Sequence, residues 1–322
     1  RFESRGLGDV YKRQSLINKS YIFPSCWTAP IYCAVLVSFI PSATTRFYMS
    51  DSGQTANNPP LTPRLSFTVH PGQGPYLLLV HGFLSSSAQW ILNLDALGKV
   101  CQPVTVDLWG HGKSPAPEDR HLYTTAHYGE QFEYIRTALG VDQWFVCGYS
   151  LGASLTLNYT FAYPQRVIAQ VFSNSTSAFS DLKLVDGWLQ NMEKSAAKIL
   201  AGGLDAVNKI PVHPRRAYTL PKPVFDALLA DAESLSPIGV ANAYLGTMPH
   251  THILEIAHTN PRPTLMCWGQ KERRFRPLAQ WAIEHMSNLN VVELEAGHGV
   301  NMEASSAFNL AVCDFLQRHQ TA

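Results

Sequence analysis

Residues 144–159 read WFVCGYSLGASLTLNY, and this stretch decides the fold. The apolar run at 144–147 predicts a buried strand, the residues from 153 onward predict a helix, and a Gly-x-Ser-x-Gly turn joins the two. Such a turn imposes strained backbone angles on Ser150, and the glycines on either side let strand and helix approach closely. The sequence therefore predicts that the Ser150 hydroxyl projects at the head of a helix, where backbone N–H groups can stabilise an oxyanion.

The composition is that of a globular protein. Of the 322 residues, 46% are hydrophobic and 15% are charged, which argues against disorder and allows one large α/β domain. The formal net charge is +1 with no long run of Lys or Arg, so we expect a small neutral or anionic ligand and no nucleic-acid partner. The six cysteines form no Cys-x-x-Cys pair, and Cys147 and Cys267 lie in strand-like runs. We therefore expect reduced, buried thiols and a cytoplasmic location.

The first 62 residues contribute nothing to the predicted fold. Residues 1–14 resemble translated sequencing-adapter sequence. Residues 15–62 form an N-terminal extension that we expect to be unstructured or untranslated, with Met49 as the expected start of a complete enzyme. The apolar run at 29–40 is shorter than a membrane span of about 20 residues. It has the length of a signal-peptide core, although its proline disfavours that reading. We expect no stable association with a membrane.

From residue 63 onward, strand-like runs alternate with amphipathic segments, which predicts a mostly parallel, doubly wound sheet covered by helices. The predicted strands lie at 66–70, 76–80, 104–106, 144–147, 168–172, 264–268 and 291–294, and the predicted helices at 87–97, 124–139, 150–163, 276–286 and 303–318. Between 177 and 258 the alternation stops, and helices with Pro-rich joints follow one another. We predict a core in two parts, 63–176 and 259–322, with a helical cap at 177–258. The cap would lie over the carboxyl ends of the strands, where such sheets bind ligands.

A serine hydroxyl is a poor nucleophile at neutral pH, and it needs a base that a carboxylate holds in the right tautomer. Two downstream loops supply these groups. His298 lies in a glycine-flanked loop after a predicted strand, and Glu272 lies in the turn after another. We predict that Ser150 attacks, that His298 transfers the proton and that Glu272 orients His298, since the order Ser, acid, His suits a sheet of this kind.

The loop HGFLSSS at 81–87 follows a predicted strand and is the expected second part of an oxyanion site. We predict that the backbone N–H groups of Phe83 and Leu151 face the oxyanion. His81 and His111 lie in glycine-containing turns, and we interpret both as structural residues. The expected pocket residues are Leu84, Tyr149, Trp188 and Val300.

Together these motifs resemble the α/β-hydrolase superfamily over residues 65–318. The resemblance rests on the His-Gly loop, the segment DLWGHGKS at 107–114, the serine turn, the acid turn and the terminal histidine loop. It implies the α/β-hydrolase fold and an enzyme that uses no metal and no other cofactor. The serine is unlike the aspartate of haloalkane dehalogenases and epoxide hydrolases. Some serine hydrolases of the superfamily carry their acid after an earlier strand, so Asp181 remains an alternative to Glu272.

Within the superfamily, the motifs look most like those of the menaquinone-pathway 2-succinyl-6-hydroxy-2,4-cyclohexadiene-1-carboxylate synthase and of related small esterases. In the synthase, the serine–histidine pair serves proton abstraction. This sequence has Ser154 where the synthase has an arginine that binds a substrate carboxylate, and Glu272 where it has aspartate. Loss of the arginine removes a bidentate partner for a carboxylate. Other cations are available to compensate, but we interpret each as a solvated surface charge: Arg215, Arg216 and Arg274.

The sequence therefore predicts a serine hydrolase that cleaves an ester or related acyl bond of a small organic substrate through a covalent acyl-enzyme. Two alternatives stay open. One is a lyase or a carbon–carbon bond hydrolase on the same residues, which an arginine facing the pocket would favour. The other is a non-catalytic ligand-binding relative, which failure of Ser150 to react with a fluorophosphonate would favour. The sequence leaves the oligomeric state open.

Overall fold

The computed structural model describes residues 63–180 and 182–320, with the backbone alone for 182–190. Seven strands form one sheet in this part of the chain: β1 Phe67–Val69, β2 Tyr76–Val80, β3 Gln102–Val106, β4 Trp144–Tyr149, β5 Val167–Ser173, β6 Thr264–Gly269 and β7 Leu289–Leu294. Their order is β1-β3-β2-β4-β5-β6-β7, with β1 antiparallel to β3 and the other pairs parallel. The predicted, mostly parallel α/β sheet is confirmed.

Both faces of the sheet are buried, which explains why its strands read as continuous apolar runs. Successive side chains of a strand point to opposite faces. Leu77 and Leu79 of β2 therefore belong to one apolar cluster, and Leu78 and Val80 belong to the other. The thiols of β4 and β6 are buried in this core, and burial raises the pKa of Cys267 to about 12.

The helices of the described residues are α1 Leu94–Leu97, α2 Thr125–Ala138, α3 Leu151–Ala162, α4 Leu182–Val207, α5 Lys222–Asp231, α6 Pro237–Asn242, α7 Arg276–His285, α8 Val300–Glu303 and α9 Ser305–His319. Two predicted helices are each divided. The segment 87–97 is a 3-10 turn, Ser87–Trp90, followed by α1, and Asn93 at the break donates its side-chain amide to the backbone oxygen of Asn301. The segment 303–318 divides at Ala304, whose φ of −121° and ψ of 43° are not helical.

Helices α4, α5 and α6 all lie in sequence between β5 and β6. Residues of α4, of α6 and of the segment between α5 and α6 build a small apolar cluster, and Leu84 from the loop after β2 enters it. The buried residues of α5, Val224 and Leu228, pack into the main core instead. Two hydrogen bonds tie them to loops at the carboxyl edge of the sheet. The Ser236 N–H donates to the Gly110 oxygen at 3.0 Å, and the Ser86 hydroxyl donates to Asp231 at 2.5 Å. The predicted cap boundaries at 177 and 258 fall in this interval, and they stay a prediction.

Among the residues that the structure describes, no helix combines the length and the apolar character that crossing a bilayer requires.

The approach of α3 to β2 leaves no room for a side chain at Gly152. A Cβ atom there would lie 2.2 Å from the backbone oxygen of Val80 and 2.5 Å from that of His81. Because a backbone oxygen cannot rotate away, α3 or the sheet must shift. We expect Gly152→Ala to lower the free energy of unfolding by about 3 kcal/mol in urea denaturation.

A matched control for this substitution is Gly129→Ala in α2. A Cβ atom there would meet the edge of the Tyr163 ring at 3.2 Å, and alanine favours the helix. We expect a change below about 1 kcal/mol. Equal losses at the two glycines would contradict the steric argument.

Candidate active site

Ser150 is the single residue between the end of β4 and the start of α3. Its φ of +53° and ψ of −113° are strained for a residue with a side chain. Two hydrogen bonds stabilise this conformation: the Ser150 N–H donates to the Ser173 oxygen at 3.0 Å, and the Ser175 hydroxyl donates to the Ser150 oxygen at 2.8 Å. The chain thus has the strained turn that the Gly-x-Ser-x-Gly pattern predicts.

The structure brings Ser150, His298 and Glu272 together. Ser150 Oγ lies 3.1 Å from His298 Nε2, and His298 Nδ1 lies 3.3 Å from Glu272 Oε2. The hydrogen bond with His298 is the main cause that lowers the pKa of Glu272, and Arg274 adds to it. With Glu272 ionised, the neutral imidazole carries its proton on Nδ1, and Nε2 is left to accept the serine proton.

Two residues that the sequence analysis did not single out hold the backbone of the histidine loop. The Glu303 carboxylate accepts the N–H of Gly297 at 2.7 Å and that of Gly299 at 2.9 Å. The Asn174 amide donates to the backbone oxygen of His298 at 3.1 Å. Neither belongs to a recognisable motif, although Asn174 lies two residues after the strand predicted at 168–172, near the strand end where catalytic groups of such sheets lie.

The loop after β2 directs most of its N–H groups into the protein. The Gly82 N–H donates to Gln89 Oε1, the Leu84 N–H to His111 Nε2 and the Ser85 N–H to the Gly82 oxygen, each at 3.2 Å. Within the described ranges, the N–H groups of Phe83 and Leu151 have no acceptor. These two are the groups that the sequence analysis assigned to the oxyanion.

His81 and His111 are buried behind this loop, with their ring centroids 5.4 Å apart. His81 Nδ1 donates to the Gly82 oxygen at 2.7 Å, and its Nε2 accepts the Leu108 N–H at 3.0 Å. Burial lowers the pKa of both histidines, that of His111 to about 3. Both rings are therefore neutral at pH 7, and each connects the backbone of the loop after β2 to the backbone after β3. His111 also accepts the N–H of Leu84, whose φ is +58°.

A cavity of about 230 Å³ opens above Ser150. Its apolar wall comes mainly from the segment between α4 and α5, from α5 and from α8. The residues from these elements include Val212, Pro214, Leu220, Leu228 and Met302. Glu303 lines the cavity, and among the described residues no Lys or Arg does. The cavity therefore suits an uncharged, apolar group beside the serine.

Two of the predicted pocket residues, Leu84 and Tyr149, line this cavity. Val300 does not, which corrects the prediction: its side chain is fully buried in the core, and its neighbour Gly299 lines the cavity instead. The reason is that α8 begins at Val300 and turns this side chain inward. The side chain of Trp188 lies outside the described residues.

The cations that the sequence offers for a substrate carboxylate lie away from the cavity. Arg215, Arg216 and Arg274 are exposed and do not line the cavity, as expected for charges on the protein surface. Ser154 is fully buried, and its hydroxyl contacts Ser175 and Ser177 at 2.7 Å each. The position that carries an arginine in the synthase therefore belongs to a buried hydroxyl network here.

The sequence pattern of the alpha/beta hydrolase fold family matches residues 75–305. The chain belongs to this family, and it is an enzyme of the hydrolase type.

Its relatives include both synthases and esterases. A Bacillus subtilis (strain 168) protein named as a candidate 2-succinyl-6-hydroxy-2,4-cyclohexadiene-1-carboxylate synthase is 25% identical over 261 residues, which cover 76% of this chain and 92% of the relative. Carboxylesterase YbfK of the same organism is 26% identical over 258 residues, which cover 76% of this chain and 81% of the relative.

Two solved structures share the fold. MenH from S. aureus superposes with a TM-score of 0.70 at 18% identity, covering 79% of this chain and 98% of that chain. A thermophilic esterase from Thermogutta terrifontis superposes with a TM-score of 0.69 at 19% identity, covering 83% of this chain and 97% of that chain. The resemblance to the superfamily that the motifs predicted is confirmed.

The buried neutral state of His111 makes stability depend on pH. Its pKa is about 3 in the folded protein and 6.5 ordinarily, so between these values the unfolded chain binds more protons. Stability is therefore lost as the pH falls below 6.5. We expect His111 to account for about 2 kcal/mol of lost unfolding free energy between about pH 7 and pH 5.

The variant His111→Gln isolates this contribution, because glutamine offers an acceptor to the Leu84 N–H and does not titrate. Urea denaturation at both pH values measures it. We expect the variant to lose about 2 kcal/mol less than the wild type over this interval. Identical losses would show that His111 takes up its proton in the folded protein.

Proposed function

We propose that the protein is a serine hydrolase that cleaves an ester or a related acyl bond of a small organic substrate. The observation that carries this proposal is the hydrogen-bonded series from Ser150 through His298 to Glu272 at the base of the cavity. Such a series lets imidazole take the serine proton while a carboxylate stabilises the imidazolium.

The reaction follows from this order of groups. Ser150 Oγ attacks the carbonyl carbon as its proton passes to His298 Nε2, and the carbonyl oxygen becomes an oxyanion. The C–O bond to the leaving alcohol then breaks, and the alcohol takes the proton from His298. A water molecule, deprotonated by His298, attacks the acyl-enzyme in the same way, and the acid leaves as Ser150 regains its proton.

The N–H groups of Phe83 and Leu151 are the proposed oxyanion donors. The neighbours of Phe83 in the loop after β2 donate to other groups of the protein. The N–H groups of Phe83 itself and of Leu151, the first residue of α3, have no acceptor among the described residues. Donors fixed in advance by the surrounding backbone stabilise a developing charge without reorganisation. The bonds from the neutral rings of His81 and His111 to this loop supply that rigidity.

The substrate class follows from the cavity wall. In our proposed division, residues 177–258 act as a cap. The cap contains α4 to α6 and the segments that join them, and it supplies apolar side chains such as Val212 and Leu220 to the cavity wall. A small cavity with this wall favours a short, uncharged acyl group. A dicarboxylate would meet Glu303 and no cation among the described lining residues, so the structure favours ester hydrolysis over synthase chemistry.

A lyase of the synthase type is the second candidate. It is favoured by the relative of that name, which this chain matches over 92% of the relative's length. The same Ser150–His298 pair would then remove a substrate proton. A non-catalytic role is disfavoured, since all three groups are present and in contact. We further propose a cytoplasmic location on the basis of the buried thiols, and a small-molecule substrate as a partner.

Hydrolysis of p-nitrophenyl acetate, butyrate and octanoate by protein that starts at Met49 tests the proposal. We expect turnover with a preference for the shorter chains, and a loss on the order of 10³-fold or more in kcat for Ser150→Ala and for His298→Ala. Activity near wild type in both variants would show that the residues are misassigned. Folded protein that is inactive on all three esters would favour the lyase, and the menaquinone-pathway intermediate would be the next substrate.

The identity of the acid is tested separately by comparing Glu272→Gln with Asp181→Asn. Asp181 lies outside the described residues, whereas Glu272 contacts His298. We expect Glu272→Gln to reduce kcat on the order of 10³-fold, because an amide does not stabilise the imidazolium, and Asp181→Asn to stay within about twofold of wild type. The reverse result would assign the carboxylate to Asp181.

A further inference from the structure

Asn174 is the first residue after β5 and adopts a left-handed backbone conformation with φ of +42°. It is 0% exposed. Asparagine tolerates this conformation better than other residues with a side chain, but a buried left-handed residue persists only where its surroundings hold it. Its position at the carboxyl edge of the sheet places it between the loops that follow β4 and β6.

The side-chain amide of Asn174 contacts two loops of the active site at once. Its Nδ2 donates to the backbone oxygens of Gly297 at 2.9 Å and His298 at 3.1 Å. Its Oδ1 accepts the N–H of Gly269 at 3.1 Å. The oxygen of Gly269 in turn accepts the N–H of Glu272 at 3.0 Å. One amide therefore connects the loop that carries the base to the turn that carries the acid.

The histidine loop needs such a connection. The His298 side chain is 39% exposed, so packing alone does not hold its ring, and glycines flank it on both sides. Glu303 holds the N–H groups of the two glycines from the other side. The position of the imidazole therefore depends on how firmly its backbone is fixed.

We propose that Asn174 is a positioning residue that fixes the His298 loop against the Glu272 turn and so sets the geometry of proton transfer. This inference rests on the proposed roles of Ser150, His298 and Glu272. The contacts require an amide, because two of them need a donor and the third needs an acceptor. An aspartate of the same shape would instead face two carbonyl oxygens with a carboxylate.

The test compares kcat, KM and the pH dependence of kcat for wild type, Asn174→Asp and Asn174→Ala on the best p-nitrophenyl ester. We expect kcat to fall about 10²-fold in both variants, with KM within about twofold, since the cavity wall is unchanged. The charged or polar groups near His298 are Glu272, Glu303, Tyr149 and, beyond Glu272, Arg274. None of these groups is altered in either variant. We therefore expect the added carboxylate of Asn174→Asp to move the acid limb of the kcat profile about one pH unit higher, and Asn174→Ala to leave that limb in place.

Asn260→Ala is the matched control. Asn260 is 2% exposed, donates to the oxygens of Arg262 and Ser287 at 2.9 and 2.8 Å, and accepts from Gln170 at 3.0 Å. It has the same kind of contacts as Asn174, but it lies before the amino end of β6. We expect this variant to lose stability and to keep kcat within about twofold of wild type.

The proposal is overturned if Asn174→Asp keeps wild-type kcat and pH dependence, or if Asn260→Ala loses as much kcat as Asn174→Ala. Failure of the underlying catalytic assignment has a different signature, since Ser150→Ala would then retain activity and Ser150 would not react with a fluorophosphonate.

Discussion

The strained turn at Ser150 is the constraint on which the rest of the site depends. A residue with φ of +53° between a buried strand and a helix is tolerated only because neighbours with no side chain let the two elements meet. A Cβ atom at Gly148 would lie 2.4 Å from the Gly152 oxygen, and one at Gly152 would lie 2.2 Å from the Val80 oxygen. The turn therefore couples the nucleophile to β2, whose loop carries Phe83, one of the two proposed oxyanion donors.

Around this turn, polar side chains fix backbone that has no regular structure. His81 and His111 bind the loop after β2, and Asn174 and Glu303 bind the loop of His298. Buried polar groups stabilise a fold only when their hydrogen bonds are satisfied, and here they are satisfied by the loops themselves. The buried histidines are neutral because burial penalises their charged form, so they serve as fixed hydrogen-bonding groups.

The cavity depends on a different kind of interaction. Much of its apolar wall comes from the segment between β5 and β6, while the reacting groups come from loops at the edge of the sheet. Leu84 connects the two, since it belongs both to the apolar cluster that α4 and α6 share and to the lining of the cavity. Because one fold supports many functions, we propose that the choice of substrate rests on the shape and charge of this wall.

The sequence by itself determined the strand order along the chain, the strained serine turn, and the serine, glutamate and histidine that come into contact. These features follow from local patterns: apolar runs, turn glycines and polar residues placed just after strands. The tertiary structure decided the break at Ala304, the burial of Val300, the role of Asn174 and the absence of a cation from the described cavity wall. Each of these depends on which distant segments come to lie side by side, and no periodicity within one segment carries that information. A side chain at the end of a strand is predictable, but the backbone it binds more than a hundred residues away is set only when the sheet closes.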